Sequence, residues 1–91
     1  MFTGIVQEIG VIKKIIKDSG IVYVNVSCTK VLEDAKIGDS IAVNGVCLTI
    51  CGLGSKYFTA DVMLETLNNT NFNFLKVNQK VNLEPALTLS T

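Results

Sequence analysis

The sequence predicts an all-β protein, a small six-stranded antiparallel Greek-key barrel with one or two short helices. Three observations carry that expectation. Short runs rich in Val, Ile, Thr, Tyr and Phe recur along the chain, each bounded by Gly, Asn, Asp or Ser. One boundary, Asn44-Gly45, is the dipeptide that best suits a type I′ hairpin turn, which needs positive φ at both central positions. Apolar residues make up 48% of 91 residues, enough for one core. An open sheet this apolar would leave adhesive edges, so closure is expected.

The elements follow in order. A first stretch begins at Gly4-Ile5-Val6 and continues through Val11-Ile12 to Ile15-Ile16, with Gly10 expected to mark a bulge or bend. Lys17-Asp18-Ser19-Gly20 is turn chemistry, and Ile21 to Ser27 is β-branched and aromatic throughout, so the two segments read as a hairpin. Thr29 to Ala35 is expected to form a short helix capped by Thr29. After the turn Lys36-Ile37-Gly38-Asp39, a strand over Ser40–Val43 passes through Asn44-Gly45 into a return strand over Val46–Cys51. The turn 52–56 leads to a strand over Tyr57–Met63. Glu65 to Asn71 is helical for a turn at most, because its Asn-rich end is a poor helix interior. The last strand, Lys80–Glu84, is closed by Pro85, which has no N–H to donate to a ladder. The barrel is thus expected over 1–85, with 86–91 as a tail or the start of an interdomain linker.

Absent residue types restrict the chemistry. With no His there is no imidazole base and no His-containing zinc site; with no Arg, because all eight basic residues are Lys, there is no bidentate fork. Zero net charge and few aromatics argue against an oligonucleotide-binding barrel, the alternative of another class. No apolar run approaches the length of a membrane span, and the start lacks a basic region followed by an apolar one. A reduced, cytoplasmic setting without nucleic-acid or membrane partners is expected. Cys47 and Cys51, four apart in a strand, would lie about 13 Å from one another, too far for a disulfide. Strand alternation puts Cys47, Thr49 and Cys51 on one face and Leu48 and Ile50 on the other.

Four segments, in order and spanning nearly the whole chain, resemble riboflavin synthase. They are Met1-Phe2-Thr3-Gly4-Ile5-Val6, the hairpin from Gly38 to Thr49, the run from Phe58 to Leu67, and Val81-Asn82-Leu83-Glu84-Pro85-Ala86-Leu87. Subunits of that family carry two similar barrels followed by a helix that drives trimer formation, and the resemblance covers the amino-terminal barrel. The active site forms between the first barrel of one subunit and the second barrel of a neighbour. The resemblance therefore implies a domain of an enzyme, a transferase, with little or no activity alone. Two molecules of 6,7-dimethyl-8-ribityllumazine exchange a four-carbon unit to give riboflavin and a pyrimidinedione. No cofactor is required; lumazine or riboflavin is the bound ligand. An isolated barrel is expected to form a homodimer, since a two-fold contact is self-complementary. Non-catalytic antenna proteins that bind lumazine or flavin share the fold and are the nearest alternative.

Residue by residue, the resemblance implies catalytic roles for Ser40 and Cys47. Ser40 would contact the reacting ring or activate a water, although its hydroxyl equally suits the start of a strand after a turn. Ligand contacts would come from Gly4, Ile5 and Val6, from Cys47, Leu48 and Thr49, and from Asp61, Val62, Met63, Leu64, Glu65 and Thr66. On the residues alone, Cys47 reads as strand packing and Glu65-Thr66 as a helix start. Gly4 permits close backbone approach to a ligand or a neighbouring chain, while Ile5 suits a barrel seal. Cys51 reads as structural.

Overall fold

The computed structural model describes residues 4–63 and 76–86. Six strands form a closed antiparallel barrel: β1 (Glu8–Asp18), β2 (Ile21–Ser27), β3 (Ser40–Val43), β4 (Val46–Leu53), β5 (Tyr57–Met63) and β6 (Lys80–Pro85). Their order around the barrel is β1-β2-β5-β4-β3-β6. Consecutive strands β3, β4 and β5 neighbour one another while β2 lies beside β5, which is the Greek-key arrangement. Both ends of the chain contribute to closure, through Glu8↔Leu83 and Gly10↔Val81.

The period-2 pattern decides what enters the core. Val22, Val24 and Val26 of β2, Leu48 and Ile50 of β4, and Phe58, Ala60 and Val62 of β5 are buried and point into one cluster with Ile41, Val43, Val81 and Leu83. Phe58 is the largest fully buried side chain among the described residues, and burying such a group contributes about 1.5–3 kcal/mol.

Turn chemistry sets the register. Asn44 (φ 50°) and Gly45 (φ 84°) both occupy the left-handed region, as a two-residue hairpin turn requires. The turn is tied to β6 by Asn44 N–H donating to the Asn82 carbonyl (2.8 Å) and Asn82 N–H donating to Asn44 Oδ1 (2.8 Å). The first hairpin is tighter than its composition suggested. Asp18 remains in β1, and only Ser19 (φ 50°) and Gly20 (φ 85°) make the turn.

Three local expectations are corrected. Gly10 is no bulge: it holds regular register with Val81, and the register shift lies between Ile12 and Lys14. A Cβ at Gly10 would sit 2.7 Å from Leu83 Cδ1, 2.8 Å from Val26 Cγ1 and 2.9 Å from the Ser27 carbonyl, so glycine is required by crowding. β1 begins at Glu8 rather than near Gly4, although Gln7 N–H still donates to the Leu83 carbonyl at 2.9 Å. The helix after β2 shrinks to a 3₁₀ turn over Lys30–Leu32, and the Thr29 side chain does not cap it. Glu8 does so instead, accepting from Thr29 N–H (2.7 Å), Thr29 Oγ1 (3.2 Å) and Val31 N–H (3.0 Å). Burial alone would raise the Glu8 pKa, but these backbone and hydroxyl donors outweigh it and hold the carboxyl below its ordinary value. The expected helical turn at Glu65–Asn71 lies outside the described residues, as does 87–91. Ala86 N–H donates to the Ser40 carbonyl at 3.2 Å, so contact with β3 continues one residue beyond Pro85.

Candidate functional site

The barrel's outer face gathers residues that the sequence scatters. Ser40 on β3 is the register partner of Thr49 on β4, and Thr49 is the partner of Asp61 on β5. Such cross-strand partners carry Cβ atoms roughly 4.5–5.5 Å apart. The row continues onto β2, where Tyr23 is the partner of Asp61. A hydroxyl, a second hydroxyl, a carboxylate and a phenol thus lie side by side on four strands.

Cys47 lies two residues before Thr49 on the same face, and both are exposed along with Cys51. The expected alternation holds, since Leu48 and Ile50 are buried between them. The thiols differ. Partial burial and then the nearby Asp61 charge push the Cys51 pKa up, partly offset by a backbone hydrogen bond. Cys28, in the core, is pushed to about 12 by burial and by Glu8. All three cysteines are free.

A second row starts from Cys47. Its partner is Ala42 on β3, whose other partner is Glu84 on β6. Ala42 alternates with Ile41 and Val43, which face the core, yet Ala42 is only 4% exposed and Glu84 8%. Here the amino-terminal segment joins the site. Gly4 N–H donates to both Glu84 carboxylate oxygens, at 3.0 and 3.1 Å. Gly4 itself has φ +83°, a conformation that disfavours any residue with a Cβ, and the chain then runs through exposed Ile5 and Val6 to β1.

Val6 and Ser40 also line one open cleft at the barrel mouth, about 870 Å³, together with Asp39, Ile50 and Ala86. The loop leading to Ser40 is fixed from both sides. Asp39 Oδ2 accepts from Lys36 N–H (3.0 Å), Gly38 N–H donates to the Ile50 carbonyl (2.8 Å) and Ile50 N–H to the Asp39 carbonyl (2.9 Å).

Of the residues singled out from sequence, Gly4, Ile5, Val6, Ser40, Cys47, Thr49 and Asp61 fall on the outer face or the cleft. The side chains of Leu48 and Val62 enter the core, so neither reaches the outer face. Met63 ends β5 opposite Ile21, and Leu64, Glu65 and Thr66 lie outside the described residues. Sequence reasoning missed Glu84 and Tyr23 as members of this face. Glu84 gave little signal, because it continues the polar positions Lys80 and Asn82 that alternate with Val81 and Leu83 along β6. Among the described residues, no group of His, Cys, Asp and Glu could hold a metal ion, and no helix is long and apolar enough to cross a membrane.

Comparison with known proteins gives this face a context. Residues 3–86 match the family model described as the lumazine binding domain. Riboflavin synthase of Actinobacillus pleuropneumoniae is 53% identical over 87 residues, 96% of this chain and 40% of that protein. Riboflavin synthase of Bacillus subtilis (strain 168) is 47% identical over a segment that also covers 96% of this chain and 40% of its own length. The chain therefore spans well under half the length of these relatives. Among solved structures, LumP complexed with 6,7-dimethyl-8-(1'-D-ribityl) lumazine matches with a TM-score of 0.86 and 35% identity, covering 100% of this chain and 51% of that one. LumP complexed with riboflavin matches with a TM-score of 0.85 at 35% identity, covering 99% and 51%. With an outer face assembled from these segments and a family match over nearly its whole length, the chain belongs to the lumazine binding domain family.

Proposed function

We propose that this chain is the amino-terminal barrel of a riboflavin synthase, and that the outer face of β3, β4 and β5 with the Gly4–Val6 segment binds 6,7-dimethyl-8-ribityllumazine or riboflavin. The observation that carries this reading is the cross-strand row of Ser40, Thr49 and Asp61 with Cys47 beside it. A flat pyrimidinedione presents alternating donors and acceptors at its edge, which main chain and hydroxyls can match. The polyol tail of the same ligand suits a carboxylate and a hydroxyl, as Asp61 and Thr49 supply, with Glu65 and Thr66 offering more of the same. Main chain at Val62, with apolar side chains at Met63 and Leu64, would serve the ring in this reading.

In the two-barrel enzyme, a second barrel from a neighbouring subunit would cover this open face and hold the partner ring. Two rings held face to face offset much of the entropy cost of a bimolecular four-carbon transfer. Ser40 and Cys47 stand nearest the reacting ring in this reading. The isolated barrel would pair as a homodimer, the full-length protein as a trimer, in the cytoplasm. The barrel alone turns over little lumazine or none, because half the site is missing.

Titration of the folded chain with riboflavin, followed by flavin fluorescence, tests the reading. A saturable quench or shift is expected, and its absence in protein with an intact β-type circular dichroism spectrum refutes it. The LumP complexes with ribityllumazine and riboflavin support ligand binding alone, so a binding domain without catalysis is the second reading. A two-barrel chain carrying this domain that binds lumazine without making riboflavin would select it.

A further inference from the structure

The Glu84 carboxylate is an unusual group in this barrel, because it is buried on the outer side of the wall rather than in the core. It is 8% exposed, the one buried charged residue among those described, and lies outside the hydrophobic cluster. Burying an ionised carboxylate costs several kcal/mol unless donors replace its water. Part of that replacement comes from Gly4 N–H, at 3.0 and 3.1 Å from the two oxygens. The Gly4–Val6 strap joins the ladder at the Gln7 N–H bond to the Leu83 carbonyl. Gly4 holds φ +83°, in the left-handed region that favours glycine. The residue beside Glu84 across the sheet is Ala42, and beyond Ala42 lies Cys47.

We infer that Glu84 is a positioning residue: it latches the Gly4–Val6 strap against the wall, fixes its distance from the Cys47–Thr49 strip and so forms one side of the ligand face. The inference rests on the binding reading above. It assigns Glu84 no contact with the ligand. Its effect passes through the strap, which carries the exposed side chains of Ile5 and Val6 along that side of the face.

The experiment uses the chain with Glu84→Ala, which removes the latch acceptor, and the isosteric Glu84→Gln. Riboflavin affinity by fluorescence and Gly4–Gln7 amide exchange by NMR are read below each variant's melting temperature. Glu84→Ala is expected to weaken binding about tenfold to a hundredfold, the range for a lost charge-assisted hydrogen bond. Glu84→Gln, which keeps one acceptor oxygen, should fall between Glu84→Ala and the native chain. Loss of thermal stability with unchanged affinity would make Glu84 purely structural and overturn the inference, as would strap amides that stay as protected in Glu84→Ala as in the native chain. Should Glu84→Ala fail to fold, Glu84→Gln carries the test alone. If the native chain binds no riboflavin, the binding reading falls, and the exchange data alone decide whether Glu84 holds the strap.

Discussion

Asp61 on β5 stands directly across from Thr49 on β4, and its charge reaches the Cys51 thiol two residues farther along the same strand face. One carboxylate thus touches both the strip proposed to bind the polyol and the ionisation of a neighbouring thiol. Asp61→Asn removes the second effect while leaving burial in place. Cys51 should then react with iodoacetamide with a pH midpoint lower than in the native chain, in a variant lacking Cys47. Thr49→Ala and Asp61→Asn should each weaken riboflavin binding by about 0.5–1.5 kcal/mol if each loses one exposed hydrogen bond to the ligand. Unchanged affinity in both variants would remove this row from the site.

Glu8 predicts a pH dependence at the acid end. Its folded pKa is lowered from 4.5, so the stability it contributes is complete above that value and disappears as pH falls through the lower folded value. Glu8→Gln should flatten this part of the stability curve. At neutral pH, Glu8→Ala should cost about 0.5–2 kcal/mol, toward the lower end because the carboxylate is partly solvated. Urea melts at pH 3, 4, 5 and 7 measure both effects.

Cys28 predicts the opposite sign at the alkaline end. Its pKa is raised from 9.0 to about 12, so its contribution is complete below pH 9 and declines as pH rises toward 12, where the unfolded thiol ionises and the folded one resists. Cys28→Ala should lower stability at all pH values but with a shallower alkaline slope than the native chain. In the folded native chain a thiol reagent should label Cys47 and Cys51 and spare Cys28. Excess riboflavin should slow labelling at Cys47.

Gly10→Ala tests barrel crowding. The new methyl group would meet two core side chains and a backbone carbonyl within 2.9 Å, and the carbonyl cannot rotate away. Overpacking of this kind costs about 1–3 kcal/mol, measurable as a lowered midpoint in chemical denaturation. At Gly20, where a methyl group would meet no atom within 4 Å, the cost of alanine would come from φ +85° alone.

Much of this fold was legible because its signals are local. Asn44-Gly45 announces a turn through the φ values that it tolerates, and alternation in β2 and β4 assigns the inner and outer faces without reference to any other strand. What could not be read is carried by residues far apart in sequence. The helix cap is Glu8, 21 residues before Thr29, so the nearby Thr29 attracted the assignment. Gly10 resembled a bulge because a strand glycine has two meanings, and only Leu83 and Val26 distinguish them. The candidate site divides in the same way. Segment resemblance pointed to Ser40, Thr49 and Asp61 separately, while their common row depends on β3–β4–β5 register, and Glu84 meets Gly4 from the other end of the chain.

The seam between β1 and β6 has a consequence for how the protein is made. Because β6 pairs with both β1 and β3, the ring of strands has no stable closed form until the final strand has emerged from the ribosome. Contacts joining opposite ends of a sequence carry a high loop-closure cost and slow the final step of folding. Until then β1 exposes an unpaired edge to other nascent chains. Synthesis of residues 80–85 is therefore the event that commits the domain to its native shape, and the same strand brings the carboxylate that fastens the strap.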